Sequence, residues 1–347
     1  MTTIYTTPQD RMKTLIERLS KIYDKVIVPQ KTGDKVVFKE YNGEYGKVTL
    51  EYTRTVNNPI LYVKPAEITL YTYTVPEGIM IKEPLKAFNI DYEVPSVKQV
   101  LFAIHPCDAH AIRYLDIALT GKGVVDPYYK AMRENTVIIV LECNKSDEYC
   151  FCESLGTHET PEDTADIALT RVGKEYLVKP LSDTGEGIVK EILSDIVSEY
   201  SGEWPKPKPG NKVKIPEWKL KLLEKGTPVD QASAEKYIEK CILCETCTNL
   251  CPTCFCSDIV HIPIGINRFK AVKRKASCQT RYYSMIAIEK VLLERKELRF
   301  KWRILHKFTF SKRMYGIYGC VGCGRCIALC PSRISIVDFI NKEVGEA

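Results

Sequence analysis

Two runs of cysteine carry the strongest chemical signal in this chain. Cys241-Ile-Leu-Cys-Glu-Thr-Cys-Thr-Asn-Leu-Cys-Pro252 has the spacing C-x2-C-x2-C-x3-C-P, and Cys320-Val-Gly-Cys-Gly-Arg-Cys-Ile-Ala-Leu-Cys-Pro331 repeats it. In such a run three thiolates wrap one [4Fe–4S] cubane, and the fourth, before the proline, is directed to a second cluster. Cys241, Cys244, Cys247 and Cys330 are therefore assigned to one cluster, and Cys320, Cys323, Cys326 and Cys251 to the other. Zinc is the competing metal, but zinc ribbons use separated cysteine pairs rather than four cysteines and a proline together. Gly316, Gly319, Gly322 and Gly324 are loop glycines. A nucleotide fingerprint would need a strand before them and a helix after, and here cysteines fill the loop.

Four more cysteines fall in the first half of the chain. Val97-Lys-Gln-Val-Leu-Phe-Ala-Ile104 reads as a buried strand followed by His105-Pro-Cys-Asp108. Asp108 is a suitable cap for a helix from Ala109 to Leu119 that ends at Gly121. Val137-Ile-Ile-Val-Leu141 is a second apolar strand, followed by Glu142-Cys143. This is a β-α-β pattern, whose strands run parallel and end on one sheet edge, where open α/β sheets bind ligands. Cys107 and Cys143 sit just past those ends, and Cys150 and Cys152 lie a short loop away. Four thiolates meeting there suit a third cluster; the competing reading is that some are buried apolar cysteines. Of the 15 cysteines, Cys254, Cys256 and Cys278 remain. Two readings stay open for them: ligands of an additional centre with an outside fourth ligand, or thiols packed beside the clusters.

The elements that must position these residues divide near residue 205. An amphipathic helix is expected from Thr7 (cap) and Pro8 (first turn), with Met12, Leu15, Ile16, Leu19, Ile22 and Tyr23 on one face. Runs such as Val48-Thr-Leu-Glu-Tyr-Thr53 and Ile68-Thr-Leu-Tyr-Thr-Tyr-Thr74 predict strands. Glu203-Trp-Pro-Lys-Pro-Lys-Pro-Gly-Asn211 can form neither a helix nor a central strand, and reads as an extended linker. The expected organisation is an α+β and α/β domain with a β-α-β unit over residues 1–202, a linker over 203–216, and a dicluster domain over 217–347. The cysteine runs lie too far apart for a small ferredoxin, and a helix is expected between them from Thr280 to Leu298. A helix-rich ferredoxin domain is therefore expected rather than the small β-hairpin type.

Composition sets the outer bounds. The 347 residues allow two cores, and 45% hydrophobic with 27% charged residues is ordinary for a globular chain. No run of about 18 apolar residues offers a membrane span. The opening Met1-Thr-Thr-Ile-Tyr-Thr-Thr-Pro8 lacks the charged and apolar regions of a signal peptide, so a cytoplasmic location is expected. There, cysteines serve as metal ligands rather than disulfides. Between Arg268 and Arg313 stand fifteen Lys or Arg against three Glu, a net of +12 in a chain of net +6. That asymmetry favours an acidic partner or an anionic, cluster-bearing site. Histidines 105, 110, 158, 261 and 306 show no ligand spacing.

Together these motifs resemble a family. His105-Pro-Cys-Asp108, Leu115-Asp116, Asp126-Pro-Tyr-Tyr129, Arg133-Glu134, Cys143, Cys150-Phe-Cys152 and Ser154-x-Gly156 resemble the iron–sulfur β subunit of soluble [NiFe] hydrogenases, the sulfhydrogenases. Cys251-Pro-Thr-Cys-Phe-Cys256, Ser277-Cys278, His306-Lys307 and Cys320-Val-Gly-Cys-Gly-Arg-Cys326 continue the resemblance. The iron–sulfur subunit of anaerobic sulfite reductase is similar over the same regions, residues 97–157 and 238–334. Those families commonly carry Trp-Asp before the Ser-Cys pair, where this chain has Lys275-Ala276. The resemblance implies an electron-transfer protein that relays single electrons between a flavoprotein exchanging hydride with NAD(P)H and a catalytic redox subunit. Catalysis then lies in other chains. No G-x-G-x-x-G stands on a strand-to-helix turn, no nickel-type cysteine pairs lie at both ends, and no sirohaem site is evident. Asp126-Pro-Tyr-Tyr129 favours a [NiFe] hydrogenase partner over a sirohaem protein. Two rival classes are a stand-alone ferredoxin-like carrier and an iron–sulfur nucleic-acid-binding protein; only the basic insert supports the latter, without a recognised reading module.

Overall fold

Short runs of Val, Ile, Leu and Thr punctuated by Gly, Asn and Pro build the strands of this computed structural model. It describes residues 3–51, 54–75, 89–91, 93–121, 123, 125–227 and 229–345. In chain order the strands are β1 (Ile4–Pro8), β2 (Lys25–Thr32), β3 (Lys35–Glu40), β4 (Glu67–Thr74), β5 (Asn89–Asp91) and β6 (Gln99–Ile104). They continue as β7 (Thr136–Leu141), β8 (Ile167–Val172), β9 (Glu175–Pro180), β10 (Ser198–Tyr200), β11 (Ser257–Gly265) and β12 (Arg268–Lys275). Among the described residues no helix is long and apolar enough to cross a membrane.

The larger sheet has the order β10-β1-β9-β8-β7-β6-β2-β3. Its centre is parallel, β2 with β6, β6 with β7 and β7 with β8, and antiparallel strands flank it. Every residue of β6 and β7 is buried, as strands covered on both faces must be. Val100, Phe102, Val137 and Ile139 pack with Met12, Leu15, Ile16 and Leu19 of helix α1 (Met12–Ile22) on one face. Leu101, Ile104, Ile138 and Val140 pack with Ala109, Ile112 and Leu115 of helix α2 (Pro106–Thr120) on the other. The strict alternation breaks once, at Ala103, which takes φ 56° where the β6–β7 register shifts. This bulge turns Ile104 to the α2 face and aims the chain into His105-Pro106-Cys107.

Several local expectations need correction. Residues Ile4–Pro8 form an edge-side strand, and α1 begins only after a 3-10 turn at Gln9–Arg11. Thr7 is no cap: its buried hydroxyl donates to the Ile196 carbonyl at 2.7 Å, and strand pairing overrides the local helix signal. Ile22 is exposed rather than on the buried face. Val48 makes one isolated bridge to Gln30 and residues 49–51 are irregular, while Tyr52 and Thr53 lie outside the described residues. His105 occupies the cap position of α2, with Pro106 in the first turn. Asp108 is instead fully buried against Arg325.

Between the cysteine runs the chain makes a β-hairpin before any long helix. β11 and β12 pair, and β12 also pairs with β4, so the smaller sheet has the order β11-β12-β4-β5. Residues from both sides of the proline-rich segment thus share one sheet. The expected helix from Thr280 to Leu298 is absent; two 3-10 turns lie there, and the Met285–Val291 bridge and positive φ at Ile288 and Glu289 close the segment locally. Ile288 is 88% exposed, so nothing in the core rewards a helix at that point. The helix starts at Lys296 and runs on through a π-helical stretch, Leu305–Phe310, to Tyr315. With helices Glu217–Lys225, Gln231–Tyr237 and Ile336–Glu343 it encloses a third core around Phe300, Phe308 and Phe339. The C-terminal part is therefore mixed, with a hairpin inserted into helices.

Residues 203–216 have no regular structure, yet Pro207, Pro209 and Asn211 are buried. The Pro209 carbonyl accepts from Ser146 N–H, and Asn211 Oδ1 accepts from Glu153 N–H at 2.8 Å. The segment is a strap on the sheet edge.

The Arg325–Asp108 fork is a fully buried polar tie between the two halves. Its bonds measure 2.5 and 2.8 Å, the groups are 2% and 0% exposed, and Arg325 also donates to Thr55. Removing one partner strands a buried charge. Asp108→Ala should therefore cost about 3–5 kcal/mol of stability, whereas Asp108→Leu with Arg325→Met should recover most of it. Denaturant midpoints of the anoxically purified chain measure this, and a double variant no better than the single one refutes it.

Candidate metal centre

The two cysteine runs adopt the same backbone with different tolerance for side chains. Leu243 and Glu245 take φ of 55° and 61° in the first run; Gly322 and Gly324 take 64° and 71° at the matching positions of the second. The left-handed turns wrap each run around its thiols. In the second run only glycine fits. A Cβ on Gly322 would come within 2.5 Å of Cys152 N, and one on Gly324 within 2.5 Å of Tyr149 O. The Cys150–Cys152 loop docks at that point, and Phe151 N–H donates to the Gly322 carbonyl.

Cys241, Cys244, Cys247 and Cys330 all line one cavity, joined by Cys326 and Arg303. Cys244 is exposed, so this cavity opens to the surface. Asp230 caps the helix before it by accepting from Ser233 N–H at 2.7 Å, and buried Ile238 seats the chain ahead of Cys241. Burial pushes the Cys247 thiol up to about 12, with Arg303 acting against it.

Cys251 and Cys320 face Lys307, and Cys323 faces Cys251 and Cys326. The Lys307 ammonium donates to Cys251 Sγ at 3.2 Å, Thr253 Oγ1 at 2.9 Å and the Gly319 carbonyl at 2.6 Å. Burial works against a thiolate at Cys251, but Lys307 and then Arg303 bring it down to about 7. Cys320 is pushed up to about 11 by burial, with Lys307 opposing. Cys323 feels Cys251 and Cys326 and is pushed up by burial, Arg325 opposing.

Cys107, Cys143, Cys150 and Cys152 line a second cavity with His105, Arg54, Arg325 and Cys323. Parallel β6 and β7 deliver Cys107 and Cys143 to the same edge, as their order requires. His105 Nδ1 lies 3.6 Å from Cys143 Sγ. Cys152 Sγ is 3.4 Å from Asn211 Oδ1, so the proline-rich strap closes this cavity. Burial raises all of Cys107, Cys143 and Cys152, the last to about 11.

Cys254, Cys256 and Cys278 also come together. Cys254 and Cys278, together with burial, push the ionisation of the Cys256 thiol up.

The donor chemistry suits clusters. Among the described residues no three His, Cys, Asp or Glu converge closely enough for a single ion. The cysteines stand instead around cavity walls, as thiolates bound to separate irons of a cubane do. A buried thiol resists ionisation until a metal supplies positive charge. The cations nearby have the complementary problem. Burial disfavours the Arg303 guanidinium, yet Cys247, Cys251, Cys326 and Cys278 face it and hold it charged. Lys307 is held charged chiefly by Cys251 in the same way.

In the sequence Lys307 stood out only within the His306-Lys307 motif, and Arg303 only as one charge of the basic insert. Arg299, Arg303 and Lys307 are spaced by four and all are buried. That spacing, on a helix between two cluster runs, was the available signal.

Comparison with known proteins agrees with the geometry. A model of the 4Fe-4S dicluster domain matches residues 240–334. Over 315 residues the chain is 30% identical to sulfhydrogenase 2 subunit beta of Pyrococcus furiosus, a match covering 88% of each chain. Among solved structures, a chain of the F420-reducing [NiFe] hydrogenase complex of Methanosarcina barkeri, in its xenon derivative, is similar over 70% of this chain and 94% of that one. The identity there is 13% and the TM-score 0.33.

Removing the charge of Lys307 tests its role. One unit charge at about 6 Å and an effective dielectric of about 20 contributes roughly 3 kcal/mol, on the order of 100 mV for one electron. Lys307→Met should lower at least one cluster midpoint by that order in a potentiometric titration followed by electron paramagnetic resonance. Unchanged midpoints at full iron content refute the counter-charge role.

Proposed function

The chain belongs to the hydrogenase β-subunit family, and from that premise we propose that it relays single electrons within a soluble [NiFe] hydrogenase. The donor or acceptor at one end is a flavoprotein subunit working with NAD(P)H, and at the other a catalytic subunit. The whole complex is cytoplasmic on this reading. Residues 1–202 and 217–347 form its two domains, with 203–216 strapping one to the other.

One observation carries the proposal. The short run Cys320–Cys326 touches both cavities: Cys326 lines the first and Cys323 the second. Three cluster sites in contact through one run form a continuous path. The first site, with Cys241, Cys244, Cys247 and Cys330, opens to the surface through Cys244. The middle site uses Cys320, Cys323, Cys326 and Cys251. The third, with Cys107, Cys143, Cys150 and Cys152, lies at the edge of the larger sheet.

Bound clusters supply one-electron transfer at these positions. The chain's own residues fix the thiolates, keep water from the middle site and set the local charge. Lys307 donates to Cys251, and Arg325 stands between Cys323 and Cys107 while Asp108 holds its guanidinium in place. Such hydrogen bonds and charges tune potential. A path of this kind is useful only with a partner at each end.

Three clusters predict about twelve iron and twelve sulfide per anoxically purified chain. Cys107→Ser combined with Cys143→Ser should lose about four of each and leave the other signals in place. A wild-type content of about eight, unchanged in the variant, removes the third cluster from the path. Native anoxic purification with mass spectrometry tests the partners. Nickel with a flavoprotein is the expected result; sirohaem reverses the catalytic assignment, and a lone active monomer defeats the subunit reading.

A further inference from the structure

The segment between the hairpin and the helix that starts at Lys296 turns apolar side chains to solvent, and it does so in a fixed shape. Ile286 N–H donates to the Lys290 carbonyl at 2.9 Å, and Leu292 N–H to the Ser284 carbonyl at 3.1 Å. Leu293 N–H donates to Ser284 Oγ at 2.8 Å, and the Arg281–Glu294 ion pair closes the base. At the tip Ile288 takes φ 70°, a conformation that β-branched residues rarely hold. The resulting arch exposes Met285 and Ile286, while Tyr282, Ile288 and Leu292 are 71%, 88% and 57% exposed. Scattered apolar residues on a surface need no explanation, but a group gathered on one hydrogen-bonded arch is a surface of the kind that a partner covers.

The arch stands beside the surface cluster site. Gln279, at its root, lines the cavity of Cys241, Cys244, Cys247 and Cys330, and so does exposed Leu243. At the other root Lys296 Nζ donates to the Glu239 carbonyl at 2.6 Å. Glu239 belongs in turn to an open groove walled by Lys236, Lys240, Pro331, Arg333 and Lys342. Ile334 lines both the groove and the cluster cavity, and Pro331 directly follows Cys330. Two carboxylates, Glu239 and Glu343, share the groove with its four cations. Among the described residues none of those cations has a carboxylate within ion-pair distance.

The chemistry of this face selects its occupant. Cys244 is exposed here, so an electron that enters or leaves at the surface site crosses this face, and the occupant carries a redox centre of its own. Unpaired cations are complemented by carboxylates, and the arch by an apolar hollow. A second copy of this chain presenting the same face would set cation against cation. A nucleic acid would answer the cations and leave the arch uncovered. We propose that the arch of residues 281–295 and the groove of Lys236, Lys240, Arg333 and Lys342 form one docking face for an acidic redox subunit. That subunit seats the arch in an apolar hollow and sets carboxylates along the groove. One electron passes at a time between its centre and the surface cluster, with no bond made or broken. The electron exchange rests on the relay reading above; the docking face itself does not.

The test uses the native complex, purified anoxically through a tag on this chain and treated with a carbodiimide, which joins lysine directly to carboxylate. The expected result, read by mass spectrometry, is cross-links from Lys236, Lys240 or Lys342 to Asp or Glu of one subunit that carries flavin or a redox metal. Ile286→Asp with Ile288→Asp, and separately Lys236→Glu with Lys342→Glu, should each weaken retention of that subunit about tenfold or more at unchanged iron and sulfide. Cross-links confined to lysines outside the groove, or made to a second copy of this chain, overturn the proposal. Full retention of the subunit in both double variants does so too. If a variant loses iron and sulfide, the cross-links of the wild-type complex still decide. A redox subunit bound elsewhere on the chain sinks only this face and leaves the relay standing. A subunit docked here that does not exchange electrons with the surface cluster sinks only the coupling, and a chain with no redox subunit sinks both.

Discussion

Burying positive charge beside sulfur is the constraint on which this structure depends. Arg303, Lys307 and Arg325 are all shielded from water at the heart of the C-terminal half. Among the described residues, only Arg325 of the three has a carboxylate, Asp108, within ion-pair distance. Cys247, Cys251, Cys326 and Cys278 face Arg303, and Cys251, Cys320 and Cys254 face Lys307. Moving an unpaired cation out of water costs several kcal/mol even after relaxation. Anionic sulfur facing these cations offsets that cost, and metal binding is the general way a buried thiol becomes anionic.

The same constraint explains how the halves hold together. Gly322 and Gly324 leave no room for a side chain because the Cys150–Cys152 loop packs directly on the second run. Phe151 from that loop is part of the C-terminal core, and Thr157 Oγ1 donates to the Val321 carbonyl at 2.8 Å. β4 completes the hairpin sheet from the other direction. The cavity that holds Cys107, Cys143, Cys150, Cys152 and Cys323 thus lies where the two parts interlock.

What the sequence disclosed follows from how local each signal is. The spacing of each cysteine run is a local geometric requirement, and so is the β-α-β pattern around Cys107 and Cys143. Both could be read directly. Thr7 looked like a cap because its neighbours permit one, but the partner that recruited it, Ile196, is 189 positions away. Asp108 likewise had a plausible local role and a stronger distant one in Arg325. The segment Thr280–Leu298 had apolar residues at near-helical intervals, yet its Ile286 and Ile288 face solvent. The basic insert was legible as a charge asymmetry, though not as two populations. Its buried members answer the clusters, while Lys290 and Arg295 remain on the surface.

The repeat is symmetric in sequence and asymmetric in surroundings, and the asymmetry is what a relay needs. Identical spacing would give two similar cubanes if spacing alone set their properties. Potential is tuned instead by exposure, hydrogen bonds and nearby charge. The first run exposes Cys244 to solvent, and its turn positions carry Leu243 and Glu245 without crowding. The second is enclosed by the Cys150–Cys152 loop, faces Arg325 beyond Cys323, and shares Lys307 with Cys251. Water stabilises the more highly charged reduced state at an exposed site, whereas fixed cations must do so at an enclosed one. Lys307 and Arg325 take over at the middle site the role that solvent plays at the surface site. Each cation is in turn pinned, Lys307 by Thr253 and Gly319 and Arg325 by Asp108 and Thr55. On the relay reading proposed above, these pinned cations are what would keep the enclosed centre reducible without water.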